Sequence, residues 1–383
     1  MAVVIEPVQT RRQKKQFLEL PWAIYRDYPN WVPPLRMNQK ELVGYSKNPF
    51  YDDAEAQTFL AYRDGKVVGR VAAILNHAYN NFQHEQRGFF GFFESIDDQA
   101  VASALLDAVR SWFKQRGIEA IRGPVNPSLN HECGLLVEGF DKPPTFMMTY
   151  NPPYYGELIE RAGFRKVQDL YAFWGPVTKV AGLDKKLAFI VQTATERFGI
   201  NVRAMDRSRF LAEVEMFLRL YNESLPGTWG FSPMSPAEIK HVSKSLRFLI
   251  DPELAVVAEI EGKPIGAVFG LPDYNPRIKA IDGRLFPFSF LTLLSKRRGF
   301  KRMRVLSANV IPEWQRWGVG LVLVRGLLPR IFASGIQEVE FSWVLESNHL
   351  SRATLEKGGA DREKTYRLYD TGPEAKLFNV PVK

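Results

Sequence analysis

From Met303 to Ile311 the chain runs Met-Arg-Val-Leu-Ser-Ala-Asn-Val-Ile. It continues through Pro312-Glu-Trp-Gln315-Arg316-Trp-Gly318-Val319-Gly320 into an aliphatic, helix-forming stretch. Strand, glycine turn and helix in that order can build an anion site. Glycines without Cβ atoms let backbone N–H groups approach a phosphate, and the following helix turns the positive end of its dipole toward it. A lone Gly-x-Gly more often marks only a tight turn, so the weight rests on its setting. The densest polar and glycine run lies elsewhere, at Gly123-Pro-Val-Asn126-Pro-Ser128-Leu-Asn130-His131-Glu132-Cys133-Gly134. Polar side chains after a strand end often line a cleft, which makes Asn126, Ser128, Asn130 and Glu132 candidate substrate-binding residues. A network of turns whose side chains bond the backbone fits the same residues equally well. His131 alone reads more readily as a satisfied polar residue than as a catalyst.

The first of these runs resembles the GNAT superfamily of N-acyltransferases. Gln315–Gly320 follows that family's Q/R-x-x-G-x-G/A pattern, and Val310-Ile-Pro312-Glu313-Trp-Gln315 resembles its usual lead-in. Further on, Asn348-His-Leu-Ser-Arg-Ala-Thr-Leu-Glu-Lys-Gly-Gly-Ala resembles its Asn-containing helix, with Ala360 where Phe is usual. The resemblance implies acyl transfer from acetyl-CoA or another acyl-CoA, with no metal, to an amine. Gln315, Arg316, Gly318, Val319 and Gly320 would then hold the pyrophosphate. Backbone N–H groups near Asn309, Val310 and Ile311 would polarise the thioester carbonyl at a strand bulge, and Asn348 would lie beside the pantetheine arm. Glu346, at the end of the preceding strand, is the expected proton acceptor. Many members carry a tyrosine as general acid where this chain has Leu355. That leaves Tyr366 or Tyr369 on the next strand, or water, to protonate the leaving thiolate. Two alternatives remain: a non-catalytic binding protein of the same fold, and a Fem-type aminoacyltransferase. The intact glycine turn argues against the second, since a tRNA donor needs no pyrophosphate cradle. Across nearly the whole chain, segments such as Asn30-Trp-Val-Pro-Pro-Leu, Gly91-Phe-Phe-Glu and Tyr150-Asn-Pro-Pro-Tyr-Tyr resemble a bacterial family labelled YghO-like.

The elements that must position these residues are written twice. Phe59–Ala73 and Val256–Gly270 each alternate, turn at Gly-Lys-x-x-Gly (Gly65 and Gly262) and alternate again, the pattern of a β-hairpin. Arg116-Gly-Ile-Glu and Ser334-Gly-Ile-Gln also match, as do Leu158–Phe164 and Leu355–Ala360. Each half therefore reads as interleaved strands and helices, an α/β (mixed-sheet α+β) layer fold, and the whole as two tandem GNAT-like folds. The halves are expected at 1–178 and 185–383, with a linker near Gly175–Asp184. The expected glycine turn of the first half is replaced by Glu94-Ser-Ile-Asp97-Asp98, whose carboxylates cap the next helix and repel a pyrophosphate.

An insertion near 280–300 interrupts the second half. Phe286, Phe288, Phe290, Leu291, Leu293 and Leu294 are followed by Lys296, Arg297, Arg298, Lys301, Arg302 and Arg304. Three readings fit: a core helix with a solvated basic end, a lid over a long acyl chain or a lipid-like amine, and a peripheral contact with an anionic membrane.

Composition limits the remaining classes. The 383 residues carry a formal charge of +9, which favours an anionic partner, yet no RNA-binding motif is present and nucleic acid is not expected. Cys133 is the sole cysteine and the five histidines show no zinc spacing, so neither a disulfide nor a metal is expected. No apolar run suits a signal peptide or a membrane span, which points to the cytoplasm. Nothing in the sequence sets an oligomeric state.

Overall fold

A computed structural model describes residues 2–180, 182, 185–294 and 299–372. Thus Lys296, Arg297 and Arg298 of the expected basic cluster lie outside the described residues, as do Ala181, Leu183 and Asp184 of the expected linker. The N-terminal half contributes β1 (Val4–Pro7), β2 (Ala54–Arg63), β3 (Lys66–Asn76), β4 (Arg87–Ser95), β5 (Ala120–Gly123), β6 (Val125–Asn126), β7 (Glu132–Cys133), β8 (Leu135–Glu138) and β9 (Arg165–Pro176). The C-terminal half contributes β10 (Asn201–Ala204), β11 (Ala255–Ile260), β12 (Lys263–Pro272), β13 (Arg302–Val310), β14 (Glu338–Leu345) and β15 (Asp361–Asp370). Both Gly-Lys hairpins form where the sequence places them, with Gly65 and Gly262 at positive φ. Helices pack on the sheet through apolar faces. In Gln99–Lys114, for example, Val101, Leu105, Val109 and Phe113 are buried at helical spacing. Among the described residues no helix is long and apolar enough to cross a membrane.

The two halves share one mixed sheet, ordered β1-β2-β3-β4-β5-β15-β9-β14-β13-β12-β11-β10. Each half ends in a strand that pairs with the other. β9 runs antiparallel to β14, while β15 runs antiparallel to β5 and β8, and the two exchanged strands pair with each other from Asp361–Trp174 to Asp370–Arg165. Gly175, expected in a linker, lies within β9. The hydrophobic cores follow the exchange. Tyr171 and Phe173 of β9 pack among the C-terminal strands, and Tyr366 and Leu368 of β15 among the N-terminal ones.

A buried ion cluster fixes β15 in its foreign setting. Asp370, on β15, pairs with Arg87 and with Arg122, whose Nε lies 3.0 Å from it, and Arg122 also donates to the Tyr79 hydroxyl at 2.9 Å. All four side chains are buried. Removing the carboxylate would leave the Arg122 guanidinium desolvated without its anion, and Arg87 with Glu85 alone. Asp370→Ala is therefore expected to cost about 3–5 kcal/mol of folding stability. In urea the variant should still unfold in one transition seen by probes in both halves. Loss of the C-terminal half alone would contradict a shared sheet.

Candidate functional site

The site opens where two parallel strands part. β13 and β14 pair only from Arg302 to Val305 against Glu338 to Phe341. Beyond that point the two strands diverge, and Leu306–Val310 and Ser342–Leu345 line the gap between them. The separation begins at a β-bulge: Phe269 faces Ser307 and Gly270 faces Val305, so Leu306 is the extra residue on β13. On the other side Arg304 braces the vertex. Its buried guanidinium donates to Ser342 Oγ at 2.8 Å, to Ser342 O at 3.0 Å, and to Met147 O at 2.9 Å in a loop of the N-terminal half. At the open end of β13, Pro312–Trp317 makes a short 3-10 turn, and Gly318 takes φ +78° before the helix Val319–Ala333. Among the described residues no side chain caps that helix, so its first N–H groups remain available to a ligand. Gln315 holds the turn in place, donating to Val310 O at 3.0 Å and Ser224 O at 2.8 Å.

The gap belongs to a cavity of about 2250 Å³, more than twice the upper end of an ordinary small-ligand pocket. It runs from Arg316, Gly318 and Gly320 past Asn309 and Glu132 to Phe286 and Phe290 of the insertion. Asn309 is 1% exposed and lines this cavity. Its Oδ1 accepts from the Ser307 hydroxyl, whereas its Nδ2 has no partner among the described residues. A buried donor facing a cavity without an acceptor is a place for a ligand's oxygen.

Comparison with known proteins agrees with this geometry. Residues 214–359 match the model of the acetyltransferase (GNAT) family. The chain is 33% identical over 362 residues to protein YghO of Escherichia coli, covering 93% of this chain and 92% of that one. It is 34% identical over 374 residues to a bacterial ceramide synthase of Caulobacter vibrioides, covering 95% and 96%. This chain belongs to the GNAT family. Its fold is also that of a tandem GNAT protein from the clavulanic acid pathway, at TM-score 0.55 and 10% identity, covering 97% of this chain and 100% of that one. A GNAT protein of Sphaerobacter thermophilus gives TM-score 0.54 at 13% identity, covering 97% of both chains.

GNAT proteins take their acyl group from an acyl-CoA. The open helix N-terminus, the parted strands and the orphaned Asn309 amide fit that donor. Of the residues expected to hold it, Asn309, Val310, Gln315, Arg316, Gly318, Gly320 and Asn348 line the cavity. Val319 is fully buried, and Ile311 packs against the core. The bulge falls at Leu306 rather than near Asn309–Ile311, a position without sequence signal because it depends on the register against β12. Asn348 caps the helix His349–Lys357, accepting from Ser351 N at 3.1 Å. Leu355 lines the cavity at the position where many members carry tyrosine.

The three residues expected to carry protons are elsewhere. Glu346 lies off the cavity lining, 2.9 Å from Lys166 Nζ, and also accepts from Asp169 N. Tyr366 and Tyr369 are fully buried on β15 and do not line the cavity. Burial raises both phenols well above their ordinary range. The cause is the exchange, since β15 lies inside the sheet and both of its faces are covered. Glu340 on β14 is buried and accepts from Ser342 Oγ. Arg302 and Arg304, expected at the basic end of the insertion, belong to β13. Arg302 pairs with Glu338, and Arg304 forms the buried brace described above.

The polar run of the N-terminal half meets the same cavity, mostly as fasteners. Asn130 donates to Ser232 O at 2.8 Å and accepts from the Tyr221 hydroxyl at 2.9 Å, which joins the halves. Ser128 lies off the main cavity, its hydroxyl 2.8 Å from His131 Nδ1, and burial lowers the His131 pKa to about 4, which leaves the ring neutral. Asn126 occupies the gap of its own half. β4 and β5 pair only at Arg87–Phe89 and Ala120–Arg122, and β4 bulges where Phe92 and Phe93 face Val71. The Phe92 N–H donates to Asn126 Oδ1 at 2.6 Å, and a Cβ on Gly91 would come within 1.6 Å of Val125 O. The chain thus lays its own amide where the other half keeps an open gap. The next helix, Gln99–Lys114, is capped by Asp98, which accepts from Ala100 N and Val101 N and pairs with Arg63 at 2.8 Å. Of the four N-terminal candidates, Glu132 offers the cavity a carboxylate without a hydrogen bond or ion pair among the described residues, while Asn126, which also lines it, is held through its Oδ1.

These contrasts make the glycine turn testable by substitution. A Cβ on Gly320 would meet nothing within 4 Å, and an acid in a helix's first turn favours the helix. Gly320→Asp is expected to keep or slightly raise Tm while lowering acyl-CoA affinity at least about 100-fold, read by calorimetry, because it sets a negative charge among the N–H groups expected to meet the phosphates. Unchanged affinity would move the donor away from this turn.

Proposed function

We propose that the protein transfers an acyl group from an acyl-CoA to the amine of a long-chain, lipid-like acceptor. The observation that carries this reading is the single cavity joining the glycine turn to the apolar insertion, too large for a small polar amine alone. The family supports acyl transfer. A ceramide is an N-acylated long-chain amino alcohol, so the name of the Caulobacter relative describes the same class of reaction in a protein matched almost end to end.

Bound at the turn, an acyl-CoA supplies a thioester carbonyl open to an amine. Gly318 and Gly320 would present backbone N–H groups to its phosphates, and the parted strands would take its extended arm. The bulge at Leu306 would turn backbone N–H toward the carbonyl oxygen. The acceptor arrives as an ammonium ion and must lose a proton before its nitrogen can attack the carbonyl, forming the amide as the thioester C–S bond breaks and the CoA thiolate leaves to take its proton from water. Glu132 is the group suited to receive the ammonium proton. Its carboxyl lines the cavity, and burial raises its pKa above the ordinary value although nearby Arg304 opposes the shift. His131 beside it stays neutral and does not compete for the same charge.

The test is turnover with acyl-CoAs and a series of amines. Long-chain amino alcohols should be acylated and short polar amines should not. Glu132→Gln should lower kcat by roughly 10²–10⁴-fold and leave acyl-CoA affinity unchanged. Because Glu132 acts as the anion, kcat/KM of the native protein should fall as pH drops through its raised pKa, and that acid limb should vanish in the variant. Full activity of Glu132→Gln with an unaltered pH profile would exclude Glu132 as the base.

A further inference from the structure

The far end of the cavity is rimmed by apolar side chains that the protein leaves in water. Met37, Phe248, Phe286 and Phe290 all line the cavity, and all four are exposed, Phe286 at 67% and Phe248 at 60%. A residue that is both exposed and cavity-lining stands at an opening. These four come from three separate segments: the helix Arg36–Leu42, the turn after the helix Pro236–Leu246, and the insertion. The fold has therefore gathered the mouth from distant parts of the sequence. Phe288 and Leu291, beside it in the insertion, are exposed at 73% and 55% without lining the cavity. Apolar surface on this scale, concentrated at one opening, is uncommon on a freely soluble monomer.

Charge around the mouth is uneven in a useful way. Lys40, one turn from Met37, and Arg247, next to Phe248, are exposed and have no carboxylate partner among the described residues. The neighbouring acids are already engaged, Glu41 with His241 and Asp282 with Arg36. Aromatic and aliphatic side chains flanked by unpaired cations match a leaflet of anionic phospholipid, which takes the apolar groups below its headgroups and the cations at their level.

We infer that the cavity mouth is a docking surface for an anionic membrane, which places the opening where a lipid-like acceptor can enter without crossing water. This rests on the proposed lipid-like acceptor for its purpose, but the binding itself is independent of turnover. The test uses the full chain and vesicles of phosphatidylcholine with and without phosphatidylglycerol, with no substrate present. The protein should co-float with the anionic vesicles, less so at high salt, and only weakly with the neutral ones. Phe288→Ser with Leu291→Ser should reduce partitioning about tenfold or more. Lys40→Gln with Arg247→Gln should reduce it roughly 30-fold at low salt. None of these four residues lines the cavity, so all variants should acylate a detergent-dispersed acceptor at the native rate. No flotation of the native protein, or equal flotation of the variants, would overturn the docking surface even if acylation is found. A dimer that the same substitutions dissolve, seen by light scattering, would assign the rim to a second copy and overturn it equally. Flotation as expected with no acylation of any amine would instead leave the surface standing and refute the function.

Discussion

Parallel strands that stop pairing part-way create a gap which must be filled by something, because backbone N–H and C=O groups facing an apolar interior are costly without partners. The chain contains this construction twice, and its asymmetry follows from how each gap is filled. Between β4 and β5 the protein fills it from within: Asn126 takes the bulge N–H of Phe92, and Gly91 is bare so that Val125 O can approach. Asp98 closes the adjoining helix end with its own carboxylate. Between β13 and β14 the gap stays open, and among the described residues the helix end carries no side-chain cap and the Asn309 amide N–H finds no acceptor. One half therefore provides a wall, and the other a site.

The exchanged strands make that division of labour possible. With β9 and β15 side by side at the centre, the polar loops of the N-terminal half are held over the C-terminal gap. Arg304 reaches from β13 to Met147 O, and Asn130 meets Tyr221, so the cavity walls are tied across the junction by directed hydrogen bonds. In the proposed reaction, a base supplied by one half would serve an acyl donor held by the other. Glu132 stands in that relation to the Gly318 turn, with Arg304 as the cation near it.

Much of this was legible in the sequence where the chemistry is local. The glycine turn needs residues without Cβ atoms at adjacent positions, the hairpins need their Gly-Lys turns, and Asp98 announces its helix start, so each leaves a mark in a few residues. What was not legible depends on long-range register. Tyr366 and Tyr369 read as available hydroxyls because the alternation of β15 gives no sign that both its faces are covered. Glu346 reads as a strand-end base until Lys166, far away in sequence, is found beside it. Arg304 looks like one of a string of surface cations, and only its bonds to Ser342 and the 146–147 loop reveal a brace. Asn126 left both readings open, and the structure favours the turn network. A warning was present in that case, since Asn-Pro and Gly-Pro steps around it indicate backbone shaped for a fixed position.

Two like gaps should give one donor site, because the chain itself occupies the other. Native mass spectrometry of the intact protein with a stable thioether analogue of an acyl-CoA tests this most directly. Saturation is expected at one analogue per chain, reduced to none in Gly320→Asp. Saturation at two per chain, or one bound analogue that persists in that variant, would contradict it.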